Sequence, residues 1–184
     1  MRIIVGVTGA SGVIIAKRLL EVLRELGHET HFIISDSGRE VVKYELGGED
    51  LSELATVNYD SKNFAAAISS GSFRIDAMVI VPCSMKTLGA IANGVPHNLI
   101  ARAADVCLKQ ERKLILVPRE TPLNLIHLEN LVKAKRAGAT ILPPMLSFYH
   151  EPKTIDDMVN HTVGKILDML GIDNEIYKRW GEKK

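Results

Sequence analysis

The segment Gly6-Val7-Thr8-Gly9-Ala10-Ser11-Gly12 runs from an apolar stretch straight into a stretch of helical period. In that arrangement the unpaired N–H groups of a first helical turn and the positive end of the helix dipole converge on one spot, which suits a phosphate. Gly9 and Gly12 would allow close approach of backbone to ligand, and the Ser11 hydroxyl can donate to a phosphate oxygen or a reacting group. The same small residues would also serve a tight strand-to-helix turn. Glycine spacing of this kind does not separate NAD(P) from flavin ligands.

A second cluster is Pro82-Cys83-Ser84-Met85-Lys86-Thr87-Leu88, small hydroxyl residues at the end of an apolar run. Ser84 and Thr87 could bind ring or phosphate oxygens, or merely cap a helix. Cys83 has no base beside it in sequence and reads as a buried, inert thiol. Arg102, Asp105 and Lys109 stand three and four apart, on one helical face, which by itself reads as a solvated charged stripe. Arg119-Glu120 follows another apolar run. The guanidinium can bind a phosphate or a flavin oxygen through its planar fork, and a partly buried Glu120 could move a proton. Near the C-terminus, Tyr149 precedes a helical stretch in which His161 and Lys165 are four apart. A phenol and an ammonium can make a phosphate clamp, since opposite unit charges at about 4 Å attract by roughly 4 kcal/mol at an effective dielectric near 20, and Lys165 alone reads equally as an exposed helix charge. The six histidines show no metal-ligand spacing, so no metal is expected.

The elements that must position these groups alternate. Apolar runs at Arg2–Thr8, Glu29–Ile34, Ala77–Pro82, Lys113–Pro118 and Thr140–Leu142 read as strands buried on both faces. Helical periods cover Val13–Leu26, a span from Ser35 or Asp36 to Gly47-Gly48, Asn98–Glu111, Asn124–Ala137 and Thr154–Leu170. The stretch from Glu49 to Arg74 is polar and mixed, and reads as loop with a short helix around Ala65–Ile68. The pattern predicts an α/β, doubly wound, Rossmann-like (flavodoxin-like) fold with a mostly parallel sheet and helices on both faces, in a single domain over 1–184. The tail from 171 to 184 carries Tyr177 and Trp180, which need a surface to pack on, in this subunit or a neighbour.

With 23 Lys and Arg against 22 Asp and Glu, the totals favour neither nucleic acid nor an acidic membrane surface as partner. Two cysteines in apolar segments fit reduced thiols in a cytoplasmic protein. No apolar run approaches the roughly 20 residues of a membrane span, and no signal peptide is apparent.

Taken together, Gly9-Ala10-Ser11-Gly12, Val81-Pro82-Cys83-Ser84-Met85-Lys86-Thr87, Arg102 to Lys109, Val117-Pro118-Arg119-Glu120-Thr121-Pro122 and Phe148-Tyr149-His150 resemble the flavin prenyltransferase (UbiX-type) family. The resemblance reaches Arg179-Trp180-Gly181 in the tail. It implies that FMN lies against Gly9, Ala10, Ser11 and Ser35 on one side and against Ser84, Met85, Lys86, Thr87 and Arg119 on the other. It implies that dimethylallyl phosphate meets Tyr149 and Lys165, with Arg102, Lys109 and Glu120 around the phosphate and Glu45 nearby as a further catalytic residue. Some relatives carry Arg where this chain has Lys165, so the charge is kept without the bidentate geometry. The implied chemistry is metal-independent transfer of a dimethylallyl group to reduced FMN, with Glu120 and Ser11 shuttling protons. The family further implies a homododecamer and a UbiD-type decarboxylase that receives the product.

Three other readings meet the same residues. The first loop also resembles short-chain dehydrogenases, with Asp36 on a ribose and Tyr149 and Lys153 at their catalytic spacing, but Pro152 interrupts the helix those two would need. FMN-dependent cysteine decarboxylases use Asn in a Pro-x-Met-Asn motif, where this chain has Pro143-Pro144-Met145-Leu146. A non-enzymatic flavin carrier would retain FMN and make no product.

Overall fold

A computed structural model describes residues 1–181. Six strands form one parallel sheet: β1 (Arg2–Val7), β2 (Glu29–Ile34), β3 (Val57–Asp60), β4 (Ala77–Cys83), β5 (Lys113–Pro118) and β6 (Thr140–Ile141). Their spatial order is β3-β2-β1-β4-β5-β6. The central strands β1 and β4 pair from Ile3↔Ala77 to Gly6↔Ile80 and consist of side chains removed from water on both faces. Parallel strands of this kind need crossovers; α-helices lie in those from β1 to β2, β2 to β3, β4 to β5 and β5 to β6, while the connection from β3 to β4 holds only a 3₁₀ turn.

On one face, α1 (Val13–Glu25), α2 (Asp36–Leu46) and α6 (Ile155–Leu170) cover a core of Val5, Val7, Ile34, Val79 and Val117. On the other, α3 (Met85–Ala92), α4 (Leu99–Lys109) and α5 (Leu125–Arg136) cover Ile4, Ile33, Met78, Ile80 and Leu116. Alternate residues of each strand thus point into different cores, as the pleat requires. The sheet order reverses between β1 and β4, and in open α/β sheets the crevice beyond the strand ends at such a point is where ligands bind.

The expected doubly wound architecture and the five expected strands are present, with differences that have local causes. The span 49–74 is mostly loop, as expected, and besides a short 3₁₀ helix at Ala67–Ser69 it holds a second 3₁₀ turn, Leu51–Leu54, and the edge strand β3. β3 pairs on one side only and alternates half-buried with exposed residues, so it lacks the apolar run of an inner strand. β6 ends at Ile141 and is half-buried rather than enclosed, because it forms the opposite edge. α3 was not expected from periodicity, since its eight residues are too few to show a stripe. Leu26 and Ile155, apolar residues within the expected helical spans, are exposed because each lies at a helix end.

The described part of the tail packs on its own subunit. Gly164 of α6 lies against the Tyr177 ring, where a side chain at position 164 would collide. Arg179 forms a two-pronged pair with Asp168, at 2.8 and 2.9 Å, and Tyr177 donates to the same carboxylate at 2.6 Å. Residues 182–184 of the expected interface tail lie outside the described residues.

Candidate active site

The expected flavin residues fall on the C-terminal edge of the sheet because each follows a strand: Gly9–Ser11 after β1, Ser35 after β2, Ser84–Thr87 after β4, and Arg119 and Glu120 after β5. The loops at the reversal point are pinned together by Thr8. Its buried hydroxyl donates to the Pro82 carbonyl at 2.8 Å and accepts from the Ser84 N–H at 2.7 Å. With the hydroxyl itself buried, the two bonds hold the loops at a fixed separation. Arg119 N–H donates to the Cys83 carbonyl at 3.3 Å, which brings the β5 end into the same frame.

Ser35 and Ser84 both cap helices. Ser35 Oγ accepts from Gly38 N–H at 3.0 Å, and Ser84 Oγ accepts from Thr87 N–H at 3.3 Å while lying 3.2 Å from the Thr87 hydroxyl. The capping alternative for Ser84 is therefore realised, and a hydroxyl that caps through one lone pair keeps further hydrogen-bonding capacity. A Cβ at Gly9 would come within 2.6 Å of Ser37, so it is close packing against α2 that requires glycine there. Gly12, at φ 104°, takes the left-handed conformation that turns the chain into α1.

The N-terminus of α1 differs from the expected phosphate cradle. Its Gly12 and Val13 N–H groups donate to the Glu45 carboxylate, at 2.9 and 3.1 Å, so a carboxylate from the end of α2 occupies these donors. Glu45, expected as a catalytic residue near the substrate, is joined to the first loop.

Beside the reversal point, Met85, Arg119, Glu120, Pro143 and Met145 are among the residues lining a cavity of about 530 Å³. That is within the range of about 300–1,000 Å³ for small-molecule sites. Apolar walls with one guanidinium and one carboxylate suit a flat, partly polar ring. The hydroxyls of Ser11, Ser35, Ser84 and Thr87 suit a ribityl chain or phosphate, so the residues present fit FMN. Burial pushes the Cys83 thiol up to about 12, consistent with an inert packing role.

The residues expected around the substrate phosphate are divided. Arg102 is tied to Asp105 at 2.7 Å and to the Ser69 carbonyl at 3.1 Å. Lys109 is exposed, about 10 Å further along α4 from the strand ends. Tyr149 and Lys165 belong to the opposite face of the sheet, where Tyr149 Oη lies 3.0 Å from His161 Nε2. The sequence offers only the spacing of His161 from Lys165, and nothing in it ties His161 to Tyr149. Its pKa is lowered by burial, by His150 and by Lys165. One subunit does not bring Arg102 and Lys109 together with Tyr149 and Lys165.

The dehydrogenase alternative fails on two counts. Asp36 pairs with Lys62 at 2.9 Å, and Tyr149 and Lys153 both precede α6 and share no helix. Among the described residues, no helix is long and apolar enough to cross a membrane, and no three His, Cys, Asp or Glu side chains group as metal ligands.

Comparison with known proteins agrees with this geometry. Residues 1–169 match the family model described as Flavoprotein. The flavin prenyltransferase UbiX of Methanocaldococcus jannaschii is 52% identical over 183 residues, covering 98% of this chain and 99% of that protein. The crystal structure of AnUbiX (PadA1) in complex with FMN and dimethylallyl pyrophosphate superposes with a TM-score of 0.95 at 43% identity, covering 100% of this chain and 98% of that one. A dodecameric FMN-dependent UbiX-like decarboxylase from Escherichia coli O157:H7 gives 0.96 at 45% identity, covering 99% and 100%. The peptidyl-cysteine decarboxylase EpiD, at 17% identity and a TM-score of 0.65, over 92% of this chain and 97% of that one, shares the fold alone. The chain belongs to the Flavoprotein family and, within it, to the UbiX-type flavin prenyltransferases.

Proposed function

We propose that this enzyme takes a dimethylallyl group from dimethylallyl phosphate and joins it to N5 and C6 of reduced FMN. The observation that carries this reading is the meeting of Arg119, Glu120 and Met85 around one cavity beside the loops pinned by Thr8. Bound reduced FMN would supply the two ring atoms that take the prenyl carbons. Gly9, Ala10, Ser11 and Ser35 hold it from the β1 and β2 ends, and Ser84, Met85, Lys86, Thr87 and Arg119 hold it from the β4 and β5 ends. Lys165, Arg102, Lys109 and Tyr149 bind the substrate phosphate and stabilise its charge as the carbon–oxygen bond breaks. Glu120 and Ser11 hold and move protons at the reacting ring, and Glu45 fixes the loop that carries Ser11. Met85, in the apolar wall, keeps water from the allylic carbon.

Because α4 and α6 lie on opposite faces of the sheet, a complete phosphate clamp draws on more than one copy of the chain. A homododecamer, the assembly of the Escherichia coli neighbour, supports that arrangement and gives the exposed Trp180 a surface. Two buried free cysteines suit the cytoplasm. The product is the cofactor of a UbiD-type decarboxylase.

The test is anaerobic incubation of the protein with reduced FMN and dimethylallyl phosphate, followed by mass spectrometry of the released flavin. A flavin heavier by one five-carbon prenyl unit is expected. Unmodified FMN on folded protein would instead support a flavin carrier or a decarboxylase.

A further inference from the structure

The Tyr149 phenol is one end of a chain of ordered contacts. Its oxygen lies 3.0 Å from His161 Nε2. The His161 ring is stacked on His150, with centroids 4.7 Å apart and planes 6° from parallel, and it meets the edge of Tyr177 at 5.3 Å. Tyr177 is itself fixed, by the Gly164 gap and by its bond to Asp168. His161 therefore cannot turn freely, and its Nε2 is aimed at one partner.

A phenol has one proton to give. If neutral His161 carries its proton on Nδ1, Nε2 accepts from Tyr149, and the phenol presents only lone pairs to an approaching anion. If the proton is on Nε2, His161 donates to Tyr149 Oη, and the phenol proton is free for a phosphate oxygen. We propose that His161 is a positioning residue that donates from Nε2 to Tyr149 and so turns the Tyr149 hydroxyl toward the phosphate of the prenyl donor. The proposal rests on the assignment of Tyr149 to that phosphate, and it names a residue which that assignment does not contain.

Four variants test it: Tyr149→Phe, His161→Phe, His161→Gln and the double phenylalanine variant, each checked for retained FMN by its visible absorbance. His161→Phe keeps a ring for stacking and removes the donor; it should raise KM for dimethylallyl phosphate about tenfold with FMN affinity unchanged. His161→Gln, which keeps an N–H, should recover most of that loss. In the Tyr149→Phe background His161→Phe should add nothing further. If Tyr149→Phe is impaired and His161→Phe is not, the inference is overturned while the prenyltransferase reading stands. Solid-state ¹⁵N NMR of the histidines reads the tautomer without turnover. A protonated His161 Nε2 is expected, and a neutral ring protonated only on Nδ1 overturns the proposal whether or not prenylated flavin forms.

Discussion

Glu45 places its carboxylate over the backbone N–H of Gly12, with oxygens 2.9 and 3.2 Å from the nitrogen. The contact ties the end of α2 to the start of α1 and puts a negative charge at the positive end of the α1 dipole. Among the described residues, Gly12 offers no side-chain cap of its own, so Glu45 serves in its stead.

Replacing Glu45 with Ala removes this cap. The thermal midpoint should fall by roughly 2–4 °C, the shift for about 1 kcal/mol in a chain of this size. Differential scanning calorimetry at low and high salt checks the charge component, which should shrink as salt is added. An unchanged midpoint would mean that water caps α1 equally well.

Glu120 lines the cavity beside Arg119, and its carboxylate Oε1 accepts from Thr121 N–H at 3.0 Å. Glu120→Gln should keep that shape and retain FMN, yet lose roughly two to four orders of magnitude in turnover, the span for a proton-transfer group. Single-turnover formation of prenylated flavin measures it. Unchanged turnover removes Glu120 from the mechanism.

Asp168 is held at about 2, well below the usual carboxylate range, first by its bonds from Arg179 and then by those from Tyr177 and Asn174. The folded value lies below the unfolded one, so the carboxylate stabilises the fold at pH above about 4 and loses that contribution as pH falls toward 2. A depression of this size is worth about 2 kcal/mol. Urea titrations should therefore show wild type ahead of Asp168→Asn by that amount at pH 7, with the gap narrowing at pH 3.

Gly164→Ala should reverse the usual helix rule. In an exposed helix the change gains about 1 kcal/mol, but here the new methyl meets the Tyr177 ring, and overpacking typically costs about 1–3 kcal/mol. The urea midpoint should drop, and trypsin should cut after Lys178 faster than in wild type. A stabilised variant would show that the tail gives way at no cost.

Both thiols should be silent. Cys83 and Cys107 are buried and pushed up to about 12 by burial, so at pH 8 their thiolate fraction is lower by roughly three orders of magnitude than that of a free cysteine. Native protein treated with iodoacetamide should stay unlabelled, and both residues should react after denaturation. Rapid labelling of Cys83 in native protein would place a reactive thiol beside Ser84.

The inner strands are legible in the sequence because burial on both faces demands an unbroken apolar run, as in Ala77-Met78-Val79-Ile80-Val81. The edge strand Val57–Asp60 has one neighbour and one wet side, so its residues carry no such demand. The short α3 announced itself through its Ser84 cap and not through its periodicity. The site follows the same division. Gly9, Ser84 and Arg119 stand out as candidates because strand ends are where a doubly wound fold collects its ligand groups, whereas Ser35 enters only through the family resemblance. The Glu45–Gly12 and Tyr149–His161 contacts could not, because each joins residues whose local sequence is equally content without the other.

The chain has one tryptophan, and that residue, Trp180, is 81% exposed with its ring 5.5 Å from Tyr149, edge-on. Its fluorescence is therefore a built-in probe of a single place. In an isolated subunit the emission belongs to a solvated indole, at long wavelength. Covering by a second copy shifts it toward the blue, and a ligand that reorders Tyr149 changes its intensity. Assembly and events at the phenol can be followed separately on unlabelled protein, from the colour and the brightness of one residue.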